Sequence, residues 1–183
     1  MDLPKIGERQ LEYQNQYQKV FRVSADFGDF KKEYFVTETG DKAGIVAVRD
    51  NHILLVRQYR LLINGLSWEI PGGKVDEGET PVEAAVRECL EESGVRCLDV
   101  QPLVFFHAGM DTRHNPTHIF QSNNLSEKLE PEMMHNQETS GYEWVPLERA
   151  TKMVFKSEIQ DSFSIVGILA YQAQSRTSAQ PGH

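Results

Sequence analysis

The spacing of apolar and polar positions divides the chain into short β segments around one strongly periodic helix. Residues 19–23 (VFRVS) and 32–37 (KEYFVT) alternate imperfectly but are rich in Val, Phe and Tyr, the composition of strands. Turn residues fill Glu38 to Lys42. AGIVAVR (43–49) and HILLVRQYR (52–60) are apolar runs joined at Asp50-Asn51, a hairpin signature. Trp68 to Pro71 reads as a short strand, stopped by Pro71 and Gly72-Gly73. Within 81–92, the residues Val82, Ala85, Val86, Cys89 and Leu90 recur at i, i+3, i+4, i+7 and i+8, the stripe of an amphipathic helix. Thr80 is its N-cap, Pro81 its first residue, and Glu83 completes a capping box. Gly94 falls where a left-handed residue ends a helix. Strands are predicted at 98–107, 116–122 and 142–145, and helices at 146–155 and 159–174, with a polar stretch at 123–141. Residues 1–18 are polar, of weak helical or irregular character, and 175–183 read as a disordered tail.

Composition adds exclusions. Of 183 residues, 39% are hydrophobic and 25% charged, the balance of one globular domain rather than of collagen, coiled coil or a disordered chain. No run reaches the roughly 18 apolar residues of a membrane helix, so no membrane partner is expected. The first 19 residues hold no apolar h-region, and Cys89 and Cys97 form neither a C-x-x-C motif nor a zinc knuckle, so the expected compartment is cytoplasmic. A net charge of −8 disfavours binding to the nucleic-acid backbone. Residues 73–95 hold seven acids and two bases, five of the eight excess negative charges, which asks for solvation or a countercharge such as a divalent cation.

The helix at 81–92 says where that cation would sit. Glu88 and Glu92 stand at i, i+4 and Glu88 and Glu91 at i, i+3, on adjoining faces beside the apolar stripe. Clustered hard oxygen ligands suit Mg²⁺, with Mn²⁺ as a substitute. Arg87 lies within one turn of Glu83 and Glu91 and can brace a carboxylate through its fork. Gly72-Gly73 allows close backbone approach, and a carbonyl there offers a further ligand.

Gly73, five residues, Glu79, seven residues, then Arg87-Glu88-Cys89-Leu90-Glu91-Glu92-Ser93-Gly94-Val95 resembles the Nudix box, G-x5-E-x7-R-E-U-x-E-E-x-G-U with U aliphatic. Every fixed position matches; Cys89 stands at an aliphatic position, where a buried thiol packs as a small hydrophobe. HILLVRQYR, WEIPGGK and WVPLERA are similar to the ADP-ribose and nucleoside-diphosphate-sugar pyrophosphatase branch, so the resemblance spans about residues 43–170. It implies an α/β/α sandwich around a mixed sheet over 43–174. A small N-terminal antiparallel sheet within 1–42 would serve a homodimer, and 175–183 would be the tail. It implies Mg²⁺-dependent cleavage of a small-molecule nucleotide sugar into a nucleoside monophosphate and a sugar phosphate. By resemblance Glu88 and Glu92 are metal ligands, Glu91 a metal or water partner, and Gly72 a carbonyl ligand. Glu79 and Arg87 orient the box carboxylates, Arg60 binds phosphate with Arg57 as second candidate, and the base is Glu138, then Glu132. Met110 stands where ADP-ribose enzymes carry proline, which keeps other nucleotide sugars open.

Blander readings stand beside these. His107, His114 and His118 read as phosphate contacts or as ordinary surface histidines. Trp68 and Tyr59 stack a base or simply pack, and Arg57 and Arg60 are taken to share a strand face. Two other functions compete with hydrolysis of nucleotide sugars. One is a non-hydrolytic nucleotide-sugar binding module, the other a pyrophosphatase of nucleoside triphosphates or dinucleoside polyphosphates.

Overall fold

The computed structural model describes residues 2–126, 129–134 and 138–178. In chain order its elements begin with β1 (Lys5–Ile6), β2 (Gln10–Gln14), β3 (Lys19–Asp26), β4 (Lys31–Glu38), β5 (Lys42–Arg49) and β6 (His52–Arg60). β7 (Gly65–Glu69), β8 (Gly72–Lys74), α1 (Pro81–Ser93), β9 (Cys97–Leu98), β10 (Gln101–Gly109) and β11 (Arg113–Ser122) follow. The chain ends with β12 (Asn124–Leu125), β13 (Thr139–Pro146), α2 (Leu147–Phe155) and α3 (Ser162–Ser178). Single 3-10 turns occupy Leu61–Ile63 and Pro131–Met133. The described residues form two compact units, one within 2–41 and 106–116, the other within 42–105 and 117–178.

In the first unit β3 pairs antiparallel with β1, β2 and β4. This is the small N-terminal sheet expected from the resemblance. Residues 106–116 cluster with this unit. β1 and β2 lie where the sequence reads as irregular, because every residue of both is exposed. With no buried face there is no alternation to read. Ile6, Leu11, Tyr13 and Phe35 remain more than half exposed on this unit.

β5 is the centre of the second unit. It pairs in parallel with β11, antiparallel with β8, and meets β6 at the Asp50-Asn51 turn, whose two residues have φ of 48° and 58°. Both positive values are those of a tight I′ hairpin. β6 then runs between β7 and β13. Neighbouring side chains on a strand point to opposite faces. On β5, Ala43, Ile45 and Ala47 pack with Ala84, Ala85 and Cys89 of α1. Gly44 and Val46 face α3: a Cβ at Gly44 would strike the Phe163 ring, and one at Gly167 would come within 3.2 Å of Val46. The sheet is therefore held between α1 and α3, the α/β/α sandwich. Ile45, Ile53, Leu54, Leu55, Ile119 and Ile168 are fully buried in it. Each contributes about 1.5–3 kcal/mol of transfer free energy.

The polar stretch 123–141 carries β12, which pairs with β9 as a separate two-stranded sheet. α3 continues through residues 175–178, which the sequence reading placed in the tail; 179–183 lie outside the described residues. No described helix is long and apolar enough to cross a membrane.

Candidate active site

α1 begins and ends as its sequence requires. The Thr80 hydroxyl accepts from the Glu83 N–H while Glu83 accepts from the Thr80 N–H at 2.8 Å, and Gly94, at φ 70°, donates to the Leu90 carbonyl at 2.8 Å. These caps fix the rotation of the helix and so the direction of its acids. Arg87 is the hub. Its Nε and Nη2 hold the two oxygens of Glu79 at 2.9 and 3.0 Å, and Nη1 donates to Glu88 at 3.0 Å and Glu91 at 3.1 Å. Nη2 also reaches the Lys74 carbonyl at 3.1 Å. One guanidinium thus ties three acids to the strand before the helix.

Glu92 is treated differently. It is 1% exposed, far more buried than three crowded surface acids would be. The Gln58 amide donates to its Oε1 and the Gly72 N–H to its Oε2 at 3.1 Å. Burial pushes its carboxyl up to about 8, opposed by the Gly72 N–H and reinforced by the charge of Glu88. Burial also raises Glu88, against the pull of Arg87. Gly73 is glycine because a Cβ there would collide with the Glu88 carboxylate. Lys42, at the start of β5, has its ammonium lowered by burial and raised by Glu88. Gly72, expected to offer a carbonyl, meets Glu92 through its N–H.

This donor set fits a hard divalent cation. It consists of oxygens, and two of its carboxylates are held above the ordinary carboxylate range by burial and by a neighbouring acid, Glu91 beside Glu88 and Glu88 beside Glu92. Among the described residues no three acids, histidines or cysteines converge as a closed metal cage. The acids stand braced by Arg87, Gln58 and backbone.

Arg57 and Arg60 do not share a face. Three residues apart on β6, they point oppositely. Arg57 is exposed and lies over the Trp68 ring at 5.4 Å, so Trp68 packs against a cation. Tyr59 donates its hydroxyl to Asn64 at 3.0 Å. Arg60 turns to the face of Gln58 and forms a forked pair with Glu69, Nε to Oε1 at 2.8 Å and Nη2 to Oε2. Next to Glu69, the Ile70 N–H donates to the Ser164 hydroxyl at 2.9 Å, which donates to Asp161 at 2.9 Å.

Glu138 sits at the foot of β13. Its carbonyl accepts from the Tyr59 N–H at 3.0 Å, and the next residue, Thr139, receives a bond from the Gln58 amide at 3.4 Å. Its backbone is therefore one residue from the group that holds Glu92. Glu132 lies in the turn packed on the C-terminal end of α1, where the Glu130 N–H donates to the Gly94 carbonyl at 2.8 Å. His107 and His114 belong to the first unit, with His114 3.6 Å from Glu38. His118 packs on Phe105 at 4.8 Å. Cys89 is fully buried in the core, 3.6 Å from Cys97.

The family model of the NUDIX domain matches residues 38–163. An ADP-ribose pyrophosphatase of Mycobacterium tuberculosis is 33% identical over 148 residues, 80% of this chain and 72% of that protein. A CMP-5'-(N-acetyl-N-hydroxy-3-aminopropyl)phosphonate hydrolase of Streptomyces rubellomurinus is 30% identical, over 85% of this chain and 74% of its own length. The crystal structure of an ADP compounds hydrolase shares the fold at a TM-score of 0.81 and 18% identity, covering 99% of this chain and 98% of its own.

Proposed function

The chain belongs to the Nudix family, and we propose that it is a pyrophosphohydrolase of nucleoside diphosphate sugars, cutting ADP-ribose and hexose nucleotides into a nucleoside monophosphate and a sugar phosphate. The observation that carries the reading is the Arg87-tied set of Glu79, Glu88 and Glu91 beside buried Glu92, on a helix inside the matched family region. The 33% identity to an ADP-ribose pyrophosphatase supports the substrate class.

Mg²⁺, or Mn²⁺ in its place, would be held by Glu88, Glu91, Glu92 and the Gly72 carbonyl. When bound it neutralises the diphosphate and the charge that builds on the phosphoryl oxygens. The chain supplies the rest. Arg87 and Gln58 hold the carboxylates in place, and Arg60 donates to a phosphate oxygen, while Arg57 and Trp68 pair on the opposite face of β6 and β7. A water oxygen bonds to phosphorus in line with the bridging oxygen that departs, and its proton passes to Glu138.

The test is kcat/KM for ADP-ribose, two hexose nucleotides and the four nucleoside triphosphates, in Mg²⁺ and in Mn²⁺, with products identified by chromatography. Sugar nucleotides are expected to lead by at least about tenfold, because a terminal phosphate would bury charge where a neutral sugar sits. A triphosphate that beats every sugar nucleotide overturns the branch. Binding with no cleavage makes the protein a binding module.

The exposed Ile6, Leu11, Tyr13 and Phe35 of the N-terminal unit leave a small sheet with uncovered apolar side chains. A two-fold copy of the same sheet is the simplest cover. Light scattering at micromolar concentration is expected to give twice the mass of one chain; a monomer rejects the homodimer.

A further inference from the structure

The Arg60–Glu69 pair runs from the protein interior to its surface. The Glu69 side chain is 5% exposed and that of Arg60 is 43% exposed. The fork uses one edge of the guanidinium, Nε and Nη2. Among the described residues, Nη1 has no acceptor, so its N–H groups are left for a ligand. Such a fork removes most of the freedom of a long side chain, since both bonds are satisfied in one planar arrangement. Arg60 follows Gln58 by two residues on one face of β6, a rise of about 7 Å, and Gln58 touches Glu92. The Arg60 guanidinium and the Glu92 carboxylate interact electrostatically, so Arg60 lies near the box carboxylates.

Glu69 is itself braced. The Ile70 N–H is bonded to the Ser164 hydroxyl, fully buried, and Ser164 is held to Asp161 through both its hydroxyl and its N–H at 2.8 Å. Asp161 precedes the first residue of α3, so the start of that helix pins the strand end that carries Glu69.

We propose that Glu69 is a positioning residue for substrate: it aims the guanidinium of Arg60 so that the Nη1 edge meets a phosphate oxygen of the diphosphate. This rests on the pyrophosphohydrolase reading for its substrate. The physical content is directional. Glu69 lowers the positive charge that Arg60 presents, yet it improves binding, because a fixed donor loses less freedom on binding than a loose one.

Three variants and two ligands decide it. Glu69→Gln keeps the length and loses the charge, Glu69→Asp keeps the charge and shortens the reach, and Arg60→Ala removes the group being aimed. With the best sugar nucleotide, both Glu69 variants are expected to raise KM about tenfold with kcat within about threefold of wild type, the split of a contact equal in ground and transition states. The Arg60→Ala, Glu69→Gln double variant is expected to be no worse than Arg60→Ala, because Glu69 acts only through Arg60. Titration of inorganic pyrophosphate with Mg²⁺ by calorimetry is expected to show the same loss in Kd, and melting curves confirm that each variant is folded. Tighter pyrophosphate binding by Glu69→Gln would mean that Glu69 only masks charge, and overturns the proposal. So do additive effects in the double variant, an unchanged KM, or no pyrophosphate binding by the wild type. A wild type that binds pyrophosphate but cuts no sugar nucleotide rejects the functional reading instead, and the calorimetric comparison still decides Glu69.

Discussion

Glu92→Gln is expected to lower kcat at least about a hundredfold with the fold intact. Glu92 accepts a hydrogen bond on each oxygen, from Gln58 on Oε1 and from the Gly72 N–H on Oε2. Glutamine can accept on its oxygen, but its NH2 would face a second donor. The replacement removes a charged ligand and also sets donor against donor, so the carboxamide must turn away from one partner. Circular dichroism and melting curves test the fold, and single-turnover kinetics at saturating Mg²⁺ test the chemistry. Turnover near wild type would remove Glu92 from the site.

The same variant reports on pH. Glu92 has an ordinary value of 4.5 and about 8 in the folded protein, chiefly through burial. A carboxyl raised on folding keeps its proton longer in the folded state. Its contribution to stability is full below 4.5 and is lost as pH climbs toward 8. The metal-free protein is expected to lose on the order of a few kcal/mol across that window, read from denaturant midpoints. Glu88 and Asp161 are raised by burial too and act with the same sign, so the difference between wild type and Glu92→Gln isolates Glu92 with its coupling to Glu88. Identical pH slopes in both proteins would contradict this.

The box helix was legible because its signals are local. Stripe, caps and acids lie within 23 consecutive residues, 73–95, and the caps formed as their residue types require. Gln58 and Glu69 were not legible. Gln58 meets Glu92 across 34 residues, and Glu69 meets Arg60, nine residues before it, only once β6 pairs with β7. Parity on β6 could have separated Arg57 from Arg60, since their odd spacing puts them on opposite faces. The strand hides that parity: Ile53, Leu54, Leu55 and Val56 are all fully buried, because both faces are covered, and alternation begins only at Arg57. β1 and β2 escaped for the opposite reason, being exposed throughout and held as strands by pairing with β3.

Arg87→Ala is expected to damage stability and turnover together, which Glu92→Gln should not. Arg87 is 29% exposed and is bonded to Glu79, Glu88 and Glu91, whose side chains are 16%, 14% and 33% exposed. Its removal leaves three neighbouring acids facing one another with little solvent. A fully buried pair broken this way costs about 3–5 kcal/mol; partial exposure screens this one, so about 2–3 kcal/mol is expected. For a chain of this length that is a fall in Tm of about 5–10 °C. Turnover should drop about tenfold to a hundredfold, because Glu88 and Glu91 lose the group that orients them. Millimolar Mg²⁺ is expected to raise the Tm of the variant by more than it raises that of the wild type, since the ion replaces the missing cation among the carboxylates. Arg87→Lys should recover part of the stability and little of the turnover: an ammonium keeps the charge but cannot hold Glu79 through a fork while bonding Glu88 and Glu91. Calorimetry with and without Mg²⁺, beside kcat on the best sugar nucleotide, checks all of this. An Arg87→Ala protein that melts within about one degree of wild type would show that its hydrogen bonds do not hold the acids in place.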